Sequence, residues 1–220
     1  MKLVLASGSQ RRRELLTMCG YDYEIIVSNA DETIDENDPE SFVRALSFRK
    51  AKEVFDRLFA VGRRDFAVIG SDTVVAFQKE GEIKPVIIGK PKDAEDAVRI
   101  LSMLSGKTHR VFTGVSVIAD IPDENAAAQC SIREKAEIQT ECSITEVTFE
   151  TLSPDEITDY VNSGDPLDKA GSYGIQGPFG MFVREIRGNY FTVIGMPIPV
   201  LYKMLKKIGI LPHGFYERIE

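Results

Sequence analysis

The sequence of 220 residues contains no tryptophan, two histidines and three cysteines. Two histidines are too few for the histidine-rich sites that hold zinc or copper. Cys19, Cys130 and Cys142 are odd in number and show no C-x-x-C spacing, which argues against a disulfide framework or a zinc knuckle. This cysteine usage favours a reducing compartment, and we expect the cytoplasm. Any metal is then expected to be a hard cation held by carboxylates, Mg²⁺ or Mn²⁺.

Long apolar runs are also missing, since none approaches the ~20 residues that a membrane-spanning helix needs. The N-terminus lacks the apolar core of a signal peptide. The formal net charge of −7 disfavours binding to a nucleic-acid polymer, which relies on a broad basic surface, but allows a small anion in a local basic pocket. With 43% hydrophobic and 28% charged residues, the composition is that of a globular protein. We therefore expect neither a membrane nor a nucleic-acid polymer as partner.

The first sixteen residues predict a strand, a turn and a helix. Leu3 to Ala6 is a short apolar run typical of a buried strand, and the small residues Ser7-Gly8-Ser9 end it. A helical period then places Leu15 and Leu16 on one face. Ser9 is the expected N-cap, because its hydroxyl can accept a hydrogen bond from a first-turn amide.

Three consecutive arginines, Arg11 to Arg13, occupy the predicted first turn of this helix. A helix N-terminus carries partial positive charge, so each cation there costs about 0.3–1 kcal/mol unless an anion reverses the balance. Free backbone N–H groups, the hydroxyls of Ser7 and Ser9 and the guanidinium groups together are the parts of a phosphate-binding site. The alternative is a solvated basic face on an ordinary βα unit. The first-turn position favours the anion site.

The rest of the chain alternates predicted helices and strands, without an internal repeat or a clear linker. Helices are expected after four N-terminal signals: Asp38-Pro39, Asp93, Ser153-Pro154 and Pro197. Strands are expected at residues 23–27, 66–69, 74–77, 111–118 and within 130–149, with a closing hairpin at 181–186 and 190–194. Residues 120–128 are predicted to form a long hairpin loop.

Asp72 interrupts an apolar strand, within Gly70-Ser71-Asp72-Thr73. β-Branched residues follow Thr73, so Asp72 is expected within, or at a kink in, a largely buried sheet rather than at a helix start. A buried carboxylate requires a cation, a metal or several hydrogen bonds. The alternative is a hairpin bulge in which Asp72 and Thr73 bond the local backbone. Spacing does not separate these interpretations, and only the basic turn at the start of the chain favours a function.

Residues 163–178 follow neither a helical nor a strand period, yet they include Tyr173 and Ile175. Long ordered loops inside compact domains are usually functional. Gln176 offers a donor and an acceptor together, which suits the edge of a nucleic-acid base. The alternative is a surface loop packed on its own aromatic residue. Lys50 and Lys90 are, by themselves, typical of solvated lysines.

Six segments in this order resemble the Maf family of nucleoside triphosphate pyrophosphatases. They are Leu5-Ala6-Ser7-x-Ser9-x-Arg11-Arg12, Gly70-x-Asp72-Thr73, Lys90-Pro91, Thr113-Gly114-Val115, Asp168-Lys169-Ala170-Gly171-x-Tyr173-Gly174-Ile175-Gln176-Gly177 and Gly195-x-Pro197. The resemblance spans nearly the whole chain and implies one domain over residues 1–220. It also implies an α/β fold, elongated and two-lobed around a mixed β-sheet with a central cleft, like that of the Maf and ITPase proteins.

The resemblance implies hydrolysis of a nucleoside triphosphate between its α and β phosphates, with release of pyrophosphate. In such proteins the aspartate at the Asp72 position is the general base, and the residues at Arg11, Thr73 and Gln176 select the substrate. Lysines at the Lys50 and Lys90 positions and an acidic residue after the second strand complete the pocket. Glu32 is the best match for that acidic residue, with Asp31 and Asp35 as neighbours that keep the choice open.

The motif Tyr-Gly-Ile-Gln-Gly in the loop resembles the branch that acts on dTTP and UTP. Two departures from the family are the glutamine at position 10, where proline is usual, and a long loop at residues 120–128. Alternatives are a 7-methyl-GTP pyrophosphatase and a non-catalytic nucleotide-sensing regulator of cell division. The sequence leaves a homodimer open.

Residue chemistry and resemblance agree on a mechanism. Arg11, Arg12 and the first-turn amides are expected to hold the β and γ phosphates. Mg²⁺ or Mn²⁺ is expected to bridge Glu32, Asp72 and phosphate oxygens, while Asp72 activates the attacking water. The basic residues then stabilise the charge that develops on the leaving pyrophosphate.

Overall fold

The computed structural model describes residues 1–78, 81, 82, 84–121 and 136–214. Six helices lie in this part of the chain: α1 (Gln10–Met18), α2 (Pro39–Ala60), α3 (Ala94–Leu104), α4 (Pro154–Asn162), α5 (Tyr190–Ile194) and α6 (Ile198–Lys207). Its strands are β1 (Lys2–Leu5), β2 (Tyr23–Ile25), β3 (Phe66–Phe77), β4 (Val86–Ile88), β5 (Thr108–Asp120), β6 (Ala136–Phe149) and β7 (Val183–Arg187). None of these helices is long and apolar enough to cross a membrane.

One mixed sheet organises the molecule, in the order β2-β1-β3-β5-β6-β7, with β4 added on β3. β1 is parallel to both β2 and β3, whereas β3, β5, β6 and β7 follow one another antiparallel. The fold is therefore an α/β structure around a mixed sheet, as the resemblance implies.

The long strand β3 is paired differently along its two edges. On one edge β5 follows it continuously from Ala67 to Ala76. On the other, β1 covers Phe66 to Ile69 and β4 covers Val75 to Phe77. Residues 70–74 of β3 lie between these two pairings, so this edge of the strand opens into a gap between β1 and β4.

Helices cover the sheet in two lobes. Near β1, the helices α1 and α6 bury Leu15, Leu16, Leu201 and Leu205 against one face of the sheet. Beyond the gap, α3 and α4 pack with the far ends of β3 and β5 around Phe149. The helix α2 covers the opposite face, where its buried stripe meets residues of β1, β3 and β5: Ala51, Val54 and Phe55.

Two glycines bring α2 unusually close to the sheet. A Cβ atom at Gly70 would overlap the carbonyl oxygen of Ser47, and one at Gly114 would overlap that of Val43. Both positions therefore require glycine because backbone approaches backbone. The contact at Gly70 places Lys50, one turn after Ser47, directly beside Asp72.

Most predicted boundaries are confirmed, including the caps of α2, α3 and α4. Asp38 and Asp93 accept backbone hydrogen bonds at their helix starts, and Ser153 forms a capping box with Glu156. Ser9 occupies the predicted N-cap position of α1, but its side chain makes no capping hydrogen bond. The second strand is shorter than expected and ends at Ile25.

Two predictions are wrong. β3 is not interrupted at residues 70–73, because the unbroken pairing with β5 holds the chain extended there. Residues 190–194 form the helix α5 instead of a hairpin strand, since Asn189 caps its start and Gly195 ends it in a left-handed conformation. The loop predicted at residues 120–128 falls mostly outside the described residues.

Candidate active site

A cavity of about 1330 Å³ occupies the gap between β1 and β4. It collects every residue that the sequence analysis assigned to a site: Ser7, Ser9, Arg11, Arg12, Glu32, Lys50, Asp72, Thr73, Lys90 and Gln176. These residues come from α1, α2, β3 and four loops. Asp72 and Arg11, which are 61 positions apart, thus share one cavity.

The first wall of the cavity is built around the half-buried Arg12. Its Nε donates to the carbonyl oxygen of Gly195 at 2.8 Å, Nη1 to Ser7 Oγ at 3.1 Å and Nη2 to Thr73 Oγ1 at 3.4 Å. Burial lowers the pKa of Arg12, and the negative charge of Asp72 offsets part of this lowering. Three of its five N–H groups are thus used inside the protein. Arg12 therefore joins α1 to the turn after β1, to β3 and to Gly195 at the end of α5.

Ser7 and Arg11 have capacity left for a ligand. Ser7 Oγ accepts hydrogen bonds from Arg12 Nη1 and from the backbone N–H of Ser9, so its own proton is not needed for either. Arg11 Nη1 contacts Asp168 Oδ2 at 3.4 Å, a long and exposed ion pair. Both groups lie at the N-terminus of α1, where a phosphate is favoured.

The second wall carries an enclosed ion pair. Lys50 Nζ lies 2.7 Å from Asp72 Oδ1 and 2.9 Å from Glu32 Oε1. The side chains of Lys50 and Asp72 are each 12% exposed, whereas that of Glu32 is 65% exposed. Lys50 supplies the cation that the buried carboxylate needs. The bulge interpretation of Asp72 is therefore wrong, because Asp72 stands in a regular strand and bonds a lysine.

The carboxylates in the cavity suit a metal ion whose coordination is completed by a bound ligand. Among the described residues, no cluster of three histidine, cysteine or acidic side chains is present to hold a metal alone. The carboxylates of Glu32 and Asp72 lie close together, because both contact the ammonium group of Lys50. Mg²⁺ is commonly bound by one or two carboxylates together with substrate phosphates and water. These two residues fit such an ion once phosphate oxygens are present.

The third wall is the loop predicted to be functional, which is ordered by its own hydrogen bonds. Lys169 Nζ contacts Asp165 Oδ1 at 2.9 Å and Asp168 Oδ1 at 2.8 Å. The hydroxyl of Tyr160 donates to Asp165 Oδ2 at 2.5 Å and accepts from the backbone N–H of Gly174 at 3.0 Å. This network fixes the backbone two residues before the exposed Gln176.

Charge within this loop is compensated. Burial would raise the pKa of Asp165 and Asp168, but the hydrogen bonds that each accepts outweigh it, so both carboxyl groups have a lowered pKa. Burial also raises the pKa of Tyr160, which therefore acts as a neutral hydrogen-bonding group.

Several residues that line or support the cavity were not assigned to a site from the sequence. Asp165 lines the cavity and belongs to the loop at residues 163–178. Tyr160 and Thr113 lie behind the cavity wall, as partners of Asp165 and Thr73. His109 is 2% exposed, and its Nε2 lies 3.0 Å from the hydroxyl of Tyr173 in the cavity wall. An alternating strand pattern would have placed His109 inward, but not against the loop.

Comparison with known proteins identifies the family of this chain. The chain matches the profile of Maf-like proteins over residues 2–208. It belongs to the Maf family. A protein of Agathobacter rectalis named dTTP/UTP pyrophosphatase is 41% identical over 217 residues, covering 95% of this chain and 98% of the relative. One of Bacillus thuringiensis subsp. konkukian with the same name is 42% identical over 210 residues, covering 95% and 96%.

A third relative with that name, from Lachnoclostridium phytofermentans, is 40% identical over 209 residues, covering 95% of this chain and 96% of the relative. Among solved structures, the Staphylococcus aureus Ham1 protein superposes with a TM-score of 0.49 and 16% identity, covering 94% of this chain and 99% of that one. The expected membership of the Maf family is thus confirmed by sequence.

Proposed function

We propose that this Maf protein hydrolyses dTTP, UTP and modified pyrimidine analogues to the nucleoside monophosphate and pyrophosphate. The observation that carries the proposal is the cavity that Asp72 and the N-terminal end of α1 line together. The names of relatives at 40–42% identity, all dTTP/UTP pyrophosphatases, support the substrate class.

Phosphate binding falls to the N-terminal end of α1 and the lysines around the gap. Arg11, the hydroxyl of Ser7 and the free first-turn amides present donors to phosphate oxygens. Lys90 lies on the opposite rim of the same cavity. A triphosphate at Arg11 takes the place of Asp168, whose contact at 3.4 Å is long and exposed.

The chemical step needs an attacking water and a base. Asp72 is the base, and its carboxylate is oriented by Lys50 at 2.7 Å. It takes a proton from water as the water oxygen bonds to the α phosphorus. The bond from that phosphorus to the α–β bridging oxygen breaks, and pyrophosphate leaves with the electron pair. Arg11 and Lys90 stabilise the charge that develops on it.

Glu32 and Asp72 would hold Mg²⁺ or Mn²⁺ together with the phosphate oxygens. Such an ion, when bound, neutralises the charge of the triphosphate. Lys50 contacts both carboxylates, and it has to release at least one of them before the two can hold the metal ion. The metal requirement is tested by chelation, which is expected to abolish turnover and to be reversed by added Mg²⁺ or Mn²⁺.

Pyrophosphate release across a nucleotide panel tests the proposed function. Purified protein with Mg²⁺ is expected to release pyrophosphate from UTP and dTTP faster than from CTP, ATP, GTP or 7-methyl-GTP. Release of single phosphate, equal rates on all nucleotides, preference for 7-methyl-GTP, or binding without turnover would each contradict it.

Cys19 and Cys142 are free thiols, which supports our proposal of a reducing, cytoplasmic location. Burial raises the pKa of Cys142 to about 12, so this thiol is protonated and unreactive at neutral pH.

Light scattering on the purified protein tests the homodimer that the sequence leaves open.

A further inference from the structure

A chain of hydroxyl groups runs from the cavity into the protein behind Thr73. Thr73 Oγ1 lies 3.0 Å from Thr113 Oγ1, and Thr113 Oγ1 lies 2.7 Å from the carbonyl oxygen of Thr192. Thr113 is fully buried, on β5 directly opposite Thr73 in the sheet register. Thr192 belongs to α5. The Thr-Gly-Val segment that holds Thr113 has no role in the proposed mechanism.

The direction of these hydrogen bonds follows from the number of protons. A hydroxyl group has one proton and two lone pairs, whereas a carbonyl oxygen only accepts. The 2.7 Å contact therefore requires that Thr113 give its proton to Thr192, because two oxygens without a proton between them repel. Thr113 has no second proton for Thr73. The 3.0 Å contact is then made by the proton of Thr73.

Arg12 enforces the same direction from the other side. Its Nη2 points to Thr73 Oγ1 at 3.4 Å, and a guanidinium N–H can only donate. Thr73 thus gives its proton to Thr113 and accepts from Arg12. One lone pair of Thr73 is left for the cavity, and no proton.

We propose that Thr113 is a positioning residue that makes Thr73 a pure hydrogen-bond acceptor and thereby selects nucleotides with a donor at that point. This inference rests on the proposed nucleotide pyrophosphatase function. Phosphate oxygens are acceptors themselves, so Thr73 cannot bind the triphosphate. The nucleoside half of the substrate must lie over Thr73, with the phosphates towards Arg11 and Ser7.

Two donors of a pyrimidine nucleotide satisfy such a group. One is the N3–H of uracil or thymine, which cytosine replaces by an acceptor nitrogen. The other is a sugar hydroxyl. Only the base contact is lost when Thr73 donates instead of accepting, because a sugar hydroxyl can accept as well as donate. CTP, which lacks the N3–H, therefore tests the base, and 2′,3′-dideoxythymidine triphosphate, which lacks the 3′-hydroxyl, is the comparison substrate.

The test compares ratios of kcat/KM in the wild type and in Thr113→Val. Valine has nearly the shape of threonine but cannot accept the proton of Thr73, which is then free to turn into the cavity and donate. The preference for UTP over CTP is expected to fall about tenfold. The preference for dTTP over its dideoxy analogue is expected to stay within about twofold of wild type, because a sugar hydroxyl also accepts a hydrogen bond. Thr113→Ser keeps the hydroxyl and is expected to retain both ratios.

A merely structural role for Thr113 would slow all substrates alike and leave both ratios unchanged. Thr148→Val is the matched control, since Thr148 is also buried and paired with another threonine, Thr108, at 2.8 Å, but lies outside the cavity. If Thr113→Val does not fold, Thr113→Cys, whose thiol is a weak acceptor, is used instead. A UTP-to-CTP ratio within about twofold of wild type in a folded variant would overturn the proposal.

Failure of the proposed function is recognised separately, because the wild type would then release no pyrophosphate from any nucleotide. In that case the same ratios are taken from dissociation constants measured by titration calorimetry. An unchanged ratio in Thr113→Val alongside an active wild type rejects only the role of Thr113.

Discussion

Two ion pairs in one cavity differ in how they are held. Lys50 and Asp72 approach to 2.7 Å with 12% of each side chain exposed. Arg11 and Asp168 are 3.4 Å apart, with 30% and 69% exposed. An enclosed pair is weakly screened and costly to break, while an exposed pair contributes ~0–1 kcal/mol. The first pair is thus a fixed part of the site, and the second is a contact that we expect a ligand to replace.

The position of each pair explains the difference. Lys50 belongs to α2, which the close approach at Gly70 presses against β3. Asp168 belongs to a loop at the rim, where its other partner is Lys169. The cavity therefore joins a rigid side, where we place the chemistry, to a polar rim, where we expect the substrate to be exchanged.

The largest effect is expected from Asp72→Asn. The amide has the shape of the carboxylate but cannot take a proton from water, so kcat is expected to fall by about 10²–10⁴. Lys50 keeps its contact with Glu32, and the fold is expected to persist. Steady-state turnover of UTP and circular dichroism measure the two effects. A kcat within tenfold of wild type would remove Asp72 from its role as base.

Stability separates the enclosed pair from a surface pair on the same helix. Lys50→Met leaves the carboxylate of Asp72 enclosed without its cation, and the free energy of unfolding is expected to fall by about 2–3 kcal/mol. Lys52→Met is the control, because its partner Asp56 is exposed on the same helix and less than about 0.5 kcal/mol is expected. Urea unfolding of both variants decides, and equal losses would contradict the distinction.

The uncharged contact between His109 and Tyr173 is buried more deeply than either ion pair. We expect it to make the free energy of unfolding depend on pH. Burial lowers the pKa of His109 from 6.5 to about 3. Below pH 6.5, His109 binds a proton in the unfolded chain but not in the folded protein. The free energy of unfolding that depends on His109 is therefore at its full value above pH 6.5 and decreases as the pH falls towards 3. The expected contribution between pH 6.5 and 4.5 is about 2 kcal/mol.

His109→Gln isolates this contribution, because glutamine can still bond the hydroxyl of Tyr173 but does not titrate. Asp165 and Asp168 also have a lowered pKa, so their stabilisation is present above pH 3.8 and is lost as the pH falls below it. Unfolding free energies between pH 6.5 and 4.5 therefore report mainly on the histidine. Parallel curves for variant and wild type would show that His109 does not resist protonation.

The smallest effect is expected at the rim. Asp168→Asn removes a negative charge that competes with phosphate for Arg11, and the KM for UTP is expected to fall about two- to fivefold at low salt. The difference should shrink at high salt, because exposed charges are screened. Asp159→Asn, an exposed acid of α4 outside the cavity, serves as the control. A KM that rises in Asp168→Asn would mean that this residue helps binding.

Local signals predicted the elements well wherever short-range chemistry decides. The N-caps Asp38, Asp93 and Ser153 were read from residue type and spacing. Residues 70–73 were predicted wrongly because β5, the strand that keeps them extended, is far along the chain. Residues 190–194 were predicted wrongly because the adjacent N-cap Asn189 outweighs their β-branched and aromatic composition.

The cavity residues themselves were predicted from a family resemblance joined to residue chemistry, and the structure brings all ten together. Their partners were not predictable in the same way. That Arg12 is tied to Gly195, or that Thr113 takes the proton of Thr73, depends on contacts across 183 and 40 positions of the chain.

Sequence alone determined the family and the alternation of strands and helices, because residue type and spacing carry these directly. Only the tertiary structure decided that the site lies at a gap along one edge of β3, with Lys50 between two carboxylates. It also decided the direction of the hydrogen bonds behind Thr73. The physical reason is that pairing, burial and proton sharing join groups that no local pattern relates.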